Sequence, residues 1–156
     1  MIFHSFHSTS APMPSLTPLL ANFSAQELQQ LSSFGDSRVF EKDDVVIRHG
    51  EDNDHLYLLL KGRLEVFQDA ESTALSVAIL EAGDSLGEVS VFDPGPASAL
   101  VKAMEESEVW LITRDSLDNL FAANPKVAYR LVSRIATCLS KRLREMNDKL
   151  CDLANR

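Results

Sequence analysis

The residues of this chain best placed to do chemistry are Gly87-Glu88-Val89-Ser90, a Gly-Glu turn that runs into the apolar pair Val91-Phe92. Such a turn opening a short helix leaves backbone N–H groups that no helical carbonyl accepts, and these attract an anion even where no basic side chain is present. Gly87 would let the backbone come close to a ligand. The charge around the turn works against an anion. No lysine, arginine or histidine occurs from Leu64 to Val101, whereas seven acids do: Glu65, Asp69, Glu71, Glu81, Asp84, Glu88 and Asp93. Pro94-Gly95-Pro96 then stiffens the loop that leads to Ala97-Ser98-Ala99.

Other chemistries find less support. His49 and His55 are six residues apart across a polar stretch, His4 and His7 lie near the start, and no His-x-His with a following carboxylate occurs, so no metal site is expected. Asp43-Asp44 and Glu51-Asp52-Asn53-Asp54 lack the ligand spacing of a calcium loop and read as solvated turns. No serine or cysteine stands in a nucleophile-plus-base pattern, and the chain does not read as an enzyme. Cys138 and Cys151 fall in a helical segment, where a small buried apolar role fits better than a disulfide or a metal ligand.

The elements that must hold the turn change period along the chain. Residues 1–14 are rich in Ser, His, Pro and Thr without periodicity and read as a mobile tail, leaving residues 15–156 as one domain. Thr17-Pro18 predicts a helix start, and Ser24-Ala25-Gln26-Glu27 a capping box opening a second short helix through Leu28 and Leu31, with Gly35 as its stop. From Arg38 the period is two. Strands are predicted at 38–41, 45–48, 55–60, 63–68, 75–80, 98–104 and 109–112, so that seven or eight strands imply a barrel or jelly roll. Lys61-Gly62 reads as a tight hairpin, Glu41-Lys42-Asp43-Asp44 as a charged turn of the same type, and Trp110 as core. Thr113 caps a helix carrying Leu117, Leu120 and Phe121, and Asn124-Pro125 opens a longer one over 125–153. Its residues Leu131, Ile135, Leu139, Leu143, Met146, Leu150 and Leu153 form one apolar stripe, longer than a small barrel covers, and a stripe of this kind meets a copy of itself.

Composition bounds the rest. At 156 residues, with 45% hydrophobic and 24% charged, the chain fits one globular domain with a real core. No apolar run is long enough to span a bilayer and no secretory signal opens the chain, so a cytoplasmic protein is expected. The net charge of −8 divides unevenly: residues 1–124 carry 7 Lys+Arg against 20 Asp+Glu, and residues 125–156 carry 8 against 3. An acidic body with a basic helical tail is not a general nucleic-acid binder, because its long-range field repels phosphate.

Leu86-Gly87-Glu88-Val89-Ser90-Val91-Phe92 followed by Pro96-Ala97-Ser98-Ala99 resembles the phosphate-binding cassette of cyclic nucleotide-binding domains, as found in catabolite activator proteins and in regulatory subunits of cyclic AMP-dependent kinase. Phe40-Glu41-Lys42-Asp43-Asp44-Val45 through Gly50-Glu51, with Asp43 where the family has glycine, carries the resemblance further, as do Leu56-Tyr57-Leu58-Leu59-Leu60-Lys61-Gly62 and Leu80-Glu81-Ala82-Gly83-Asp84. It covers about residues 16–150. It implies a mainly β fold: an eight-stranded antiparallel β-roll, a jelly roll or double-stranded β-helix, with short N-terminal helices and a long C-terminal helix.

By position, the resemblance implies that Glu88 accepts from a ribose hydroxyl, that Ser98 donates to a phosphate oxygen, and that Gly87, Val89, Ser90, Ala97 and Ala99 line the site. At Ala97 the family has an arginine that pairs with the cyclic phosphate, and its charge-assisted, bidentate contact has no neutral substitute. Counting from Pro125, the helix positions that face the purine in catabolite activator proteins fall at Arg142 and Leu143, and Arg134, Cys138 and Arg142 share one helical stripe. Arg142 is thus either a cation reaching over the cassette or a solvated flank of a dimer helix. Two functions follow. One is a non-catalytic regulatory module that senses cyclic AMP, cyclic GMP or a related anion, needs no cofactor, and signals through its C-terminal helix to an unknown protein partner. The other is a degenerate pocket within a dimeric interaction scaffold. Related transcription factors follow the long helix with a helix-turn-helix; this sequence stops at Arg156, and direct DNA binding is not expected.

Overall fold

The computed structural model describes residues 20–68 and 75–156. The expected tail and the Thr17-Pro18 helix start lie outside the described residues, as do Asp69 and Glu71. The remaining elements run α1 (Ala25–Ser32), β1 (Asp36–Phe40), β2 (Val45–Ile47), β3 (His55–Lys61), β4 (Arg63–Phe67), β5 (Ser76–Glu81), β6 (Ser85–Leu86), α2 (Glu88–Phe92), β7 (Leu100–Ala103), β8 (Ser107–Thr113), α3 (Arg114–Ala123) and α4 (Pro125–Ala154).

Eight strands form two four-stranded antiparallel sheets, ordered β1-β8-β3-β6 and β2-β7-β4-β5. This is the expected β-roll. The eighth strand, which the sequence left implicit, is the two-residue β6, pairing Leu86 with Tyr57 and Ser85 with Leu58. The central strands β3 and β8 of the first sheet are buried on both faces. Along β3, Leu56, Leu58 and Leu60 join a cluster with Trp110 and Ile112 beneath α1, α3 and α4, while Tyr57 and Leu59 point between the sheets with Val109 and Leu111. Two-sided burial explains why Leu56–Leu60 is a continuous apolar run and not an alternating one.

Three local expectations hold. Ser24 and Glu27 form the reciprocal capping box, Thr113 caps α3, and Asn124 with Pro125 opens α4. Asp43 takes φ 71°, the left-handed conformation that a glycine would adopt more freely, and the Asp44 carboxylate steadies the turn by accepting the Glu41 N–H at 2.8 Å. Three expectations are corrected. The 41–44 turn is not a hairpin, because β1 pairs with β8 and β2 with β7, so it passes the chain from one sheet to the other. Lys61-Gly62 is not a hairpin either, because β3 pairs with β6 and β8 while β4 pairs with β5 and β7, so this tight turn also crosses between the sheets. Gly35 is not the stop of α1, which ends at Ser32 with Ser33 as its cap. A Cβ at position 35 would stand 2.4 Å from Trp110 Cζ2 and 2.5 Å from the Leu111 carbonyl, so glycine is required there by packing.

α4 is 30 residues long. Val127, Ala128, Leu131 and Ile135 bury against the roll, Cys138 and Leu139 pack at its margin, and from Leu143 onward the stripe is exposed. No helix among the described residues is long and apolar enough to cross a membrane.

Candidate functional site

The site is built where β6 meets α2. Gly87 joins them at φ 80°, and a Cβ there would stand 2.5 Å from the His55 carbonyl and 2.9 Å from Asn53 Nδ2. Both the conformation and the close approach exclude a side chain. Asn53 fixes the neighbouring loop by donating to the His55 carbonyl at 2.9 Å. The tight turn delivers Glu88 to the first position of α2, where it is only 5% exposed.

The charge facing Glu88 comes from α4. Arg142 Nη1 donates to Glu88 Oε1 at 3.1 Å, and its Nη2 donates to the Ser85 carbonyl at 2.9 Å. One guanidinium therefore ties the long helix to both β6 and α2. Glu88 Oε2 and Ser85 Oγ are buried without a hydrogen-bond partner among the described residues. Burial pushes the Glu88 carboxyl above its ordinary range, and the Arg142 charge offsets that only in part.

The second half of the cassette is held by backbone. The Ala97 N–H donates to the Glu51 carbonyl and the Gly50 N–H to the Ala97 carbonyl, each at 2.9 Å, so the segment after Pro96 is laced to the Gly50–Asp52 loop. Ala97 is 6% exposed and packs in the inner cluster with Tyr57, Leu59 and Leu86. Ser90 is buried, Ala99 half-buried and Ser98 exposed, and the Val89 side chain lies outside the described residues.

The structure thus brings together Glu88 and Arg142. Ser85 was not singled out in the sequence because it contributes a carbonyl, which no residue type announces. Arg142 is half-buried and ion-paired, which differs from a solvated flank residue. Arg134 and Cys138, on its stripe, line a separate cavity of about 400 Å³ between α4 and the turn joining β5 to β6. Burial pushes the Cys138 thiol up. Among the described residues no cluster of three or more His, Cys, Asp or Glu side chains is arranged to hold a metal ion.

The family profile described as cyclic nucleotide-binding domain matches residues 37–124, more than half of the chain. The protein belongs to the cyclic nucleotide-binding domain family. It is 30% identical over 115 residues to a CRP-like cAMP-activated global transcriptional regulator of Mycobacterium tuberculosis, covering 73% of this chain and 50% of the relative. It is 33% identical over 103 residues to a cAMP-dependent protein kinase regulatory subunit of Yarrowia lipolytica, covering 66% of this chain and 27% of that one. Among solved structures, a cyclic nucleotide-binding domain from Methylobacillus flagellatus superposes with a TM-score of 0.78 at 28% identity, over 87% of this chain and 77% of the other. The catabolite activator protein of Thermus thermophilus does so with a TM-score of 0.72 at 25% identity, over 88% and 63%. The chain spans about half the length of the mycobacterial regulator.

Proposed function

We propose that this chain is a non-catalytic cytoplasmic regulatory domain in which the cassette and α4 form one sensing unit for a cyclic nucleotide or a related anion. The observation that carries the reading is the contact from Arg142 to Glu88 and to the Ser85 carbonyl, because it makes the position of α4 depend on the state of the cassette. A ribose hydroxyl donating to Glu88 would engage the buried Oε2, which has no partner of its own. The family's cassette arginine is replaced by Ala97, and α4 brings a different cation, Arg142, against the cassette's Glu88. Ligand at Glu88 either tightens or releases Arg142, and α4 carries that change outward.

α4 is also the proposed dimer contact. Leu139, Leu143, Met146, Leu150 and Leu153 follow the four-three spacing of a coiled-coil seam, with Arg142 and Lys149 on one flank and Ser140, Asn147 and Ala154 on the other. A parallel pair sets the basic flank of one helix against the neutral flank of the other. An antiparallel pair would set basic against basic, so the pattern favours the parallel homodimer.

A second reading is supported by Ala97. It is buried among apolar neighbours, and the missing guanidinium costs a phosphate-bearing ligand about 2–5 kcal/mol, roughly 30-fold to several-thousand-fold in affinity. On this reading the pocket is degenerate and the dimer is an interaction scaffold for another protein. Titration calorimetry with cyclic AMP and then cyclic GMP, carried into the millimolar range, decides between them. Saturable micromolar binding that weakens in Arg142→Ala supports the sensor. No heat at millimolar ligand retires it in favour of the scaffold.

A further inference from the structure

The cavity between α4 and the β5–β6 turn is not the cassette. Along β5, Leu80 points into the inner cluster, so its neighbours Ile79 and Glu81, which line the cavity, face the outside of the roll. Of the residues assigned to the cassette site, only Arg142 borders this space.

Its two walls carry opposite charge. On α4, Arg134, Thr137, Lys141 and Arg142 recur at spacings of three, four and one, which places them on one helical face, with Glu145 as the single acid of that wall. The facing turn supplies Glu81 and Asp84 and no cation. That turn is rigid: Asp84 Oδ2 accepts the Glu81 N–H at 2.8 Å, the Gly83 N–H donates to the Leu59 carbonyl at 2.8 Å, and the Asp84 carbonyl accepts from Leu59 at 2.9 Å. A carboxylate offers about four acceptor positions, so Asp84 keeps capacity for a ligand after closing its own turn.

A ligand that satisfies both walls carries an anion at one end and N–H donors at the other. Size narrows the class. A volume of about 400 Å³ falls in the roughly 300–1,000 Å³ range of small-molecule sites, which suits a mononucleotide better than a free amino acid. We propose that this outer cavity binds a nucleoside monophosphate whose base carries an amino group, with the phosphate toward Arg134, Lys141 and Arg142 and the base N–H groups toward Glu81 and Asp84. Because Arg142 also holds Glu88, occupancy of the outer cavity is felt at the cassette without any direct contact between the two sites.

The test is titration of the full chain with AMP, with GMP and with inorganic phosphate alone, read by amide chemical shifts in solution. The expected result is saturable binding of AMP or GMP with shifts at Ala82, Gly83, Asp84 and Thr137. Affinity should fall about tenfold in Lys141→Gln and in Glu81→Gln, both surface changes that leave the fold intact, and should be abolished in Thr137→Trp, which fills the space. The proposal is overturned by no binding up to about 10 mM nucleotide, by inorganic phosphate binding as tightly as the nucleotide, or by affinity indifferent to Lys141 and Glu81. Shifts confined to Gly87, Glu88 and Ala97 would also overturn it while leaving the cassette sensor standing.

Discussion

Arg142 and Glu88 are 54 residues apart in the chain and 3.1 Å apart in the fold, and their contact joins the exposed half of α4 to the most buried carboxylate of the cassette. Neither residue is explained by its own element. Glu88 is held under by the Gly87 turn, and Arg142 sits where α4 leaves the core.

Removing Arg142 leaves Glu88 buried and unpaired. Arg142→Ala is expected to lower stability by about 1–3 kcal/mol near neutral pH. The sign of its pH dependence follows from burial. The folded protein holds the Glu88 proton more readily than the unfolded chain, so ionising Glu88 costs stability as pH rises above its ordinary value of 4.5. Without Arg142 that cost grows, and the deficit of the variant should widen between pH 4.5 and pH 7.5 in urea melts. An equal deficit at both values would show that the pair carries no electrostatic stabilisation.

Ala97→Arg places a long cation among the apolar neighbours of the inner cluster. The unliganded variant should lose about 1–3 kcal/mol from overpacking and a buried charge. Cyclic AMP affinity should rise at least about 30-fold over the parent, and saturating ligand should restore the lost stability through linkage. Calorimetry and thermal melts with and without ligand report both. Stability lost with no affinity gained would mean that the cavity itself has gone.

Gly35→Ala forces a methyl group against Trp110 and the Leu111 carbonyl. A loss of about 1–3 kcal/mol is expected. The chain has a single tryptophan, so its emission reports the disturbance directly. A shifted spectrum with a lower midpoint is the expected outcome, and an unchanged spectrum would place the strain elsewhere.

The exposed stripe of α4 can be tested without touching the core. Leu143, Met146 and Leu150 are 56–62% exposed, so Leu143→Lys with Leu150→Lys should leave the isolated fold intact. Sedimentation velocity should show a dimer converting to a monomer, with the far-ultraviolet spectrum of the roll retained. A dimer that survives the double change must use another face.

At the other end of α4, Arg130 donates to both carboxylate oxygens of Glu27 and to the Asn22 carbonyl, and its guanidinium lies 5.3 Å from the centre of the Phe23 ring. The Ser24 backbone N–H, followed by Arg130, holds the Glu27 carboxyl below its ordinary value of 4.5. A depressed folded value contributes stability that is present above pH 4.5 and is lost as pH falls through the lower folded value. Glu27→Gln should therefore differ from the parent at pH 7 and converge with it in acid, as followed by thermal denaturation.

The fold was legible because its cues are local. Ser24 with Glu27, Thr113 with Ser116, and Asn124 with Pro125 each act within four residues, and the Leu56–Leu60 run marks a strand buried on both faces. What stayed hidden depends on distance. β6 is two residues long and exists only by pairing with Tyr57 and Leu58, so no period announces it. Glu88 was legible from its turn and Arg142 from its helix phase, but neither reveals their contact. The outer cavity is hidden too, since Glu81 ends β5 and Lys141 lies far along α4, and nothing local to either announces the other.

The length of α4 beyond Arg142 turns the helix into a lever. From Leu143 to Ala154 it extends about 18 Å at 1.5 Å per residue. A tilt of about 5° at the Arg142 fulcrum swings its tip by roughly 1.5 Å, as much as the helix rises per residue. A small tilt at the level of the Arg142–Glu88 contact would thereby be enlarged into a displacement of about one residue's rise at the tip of α4.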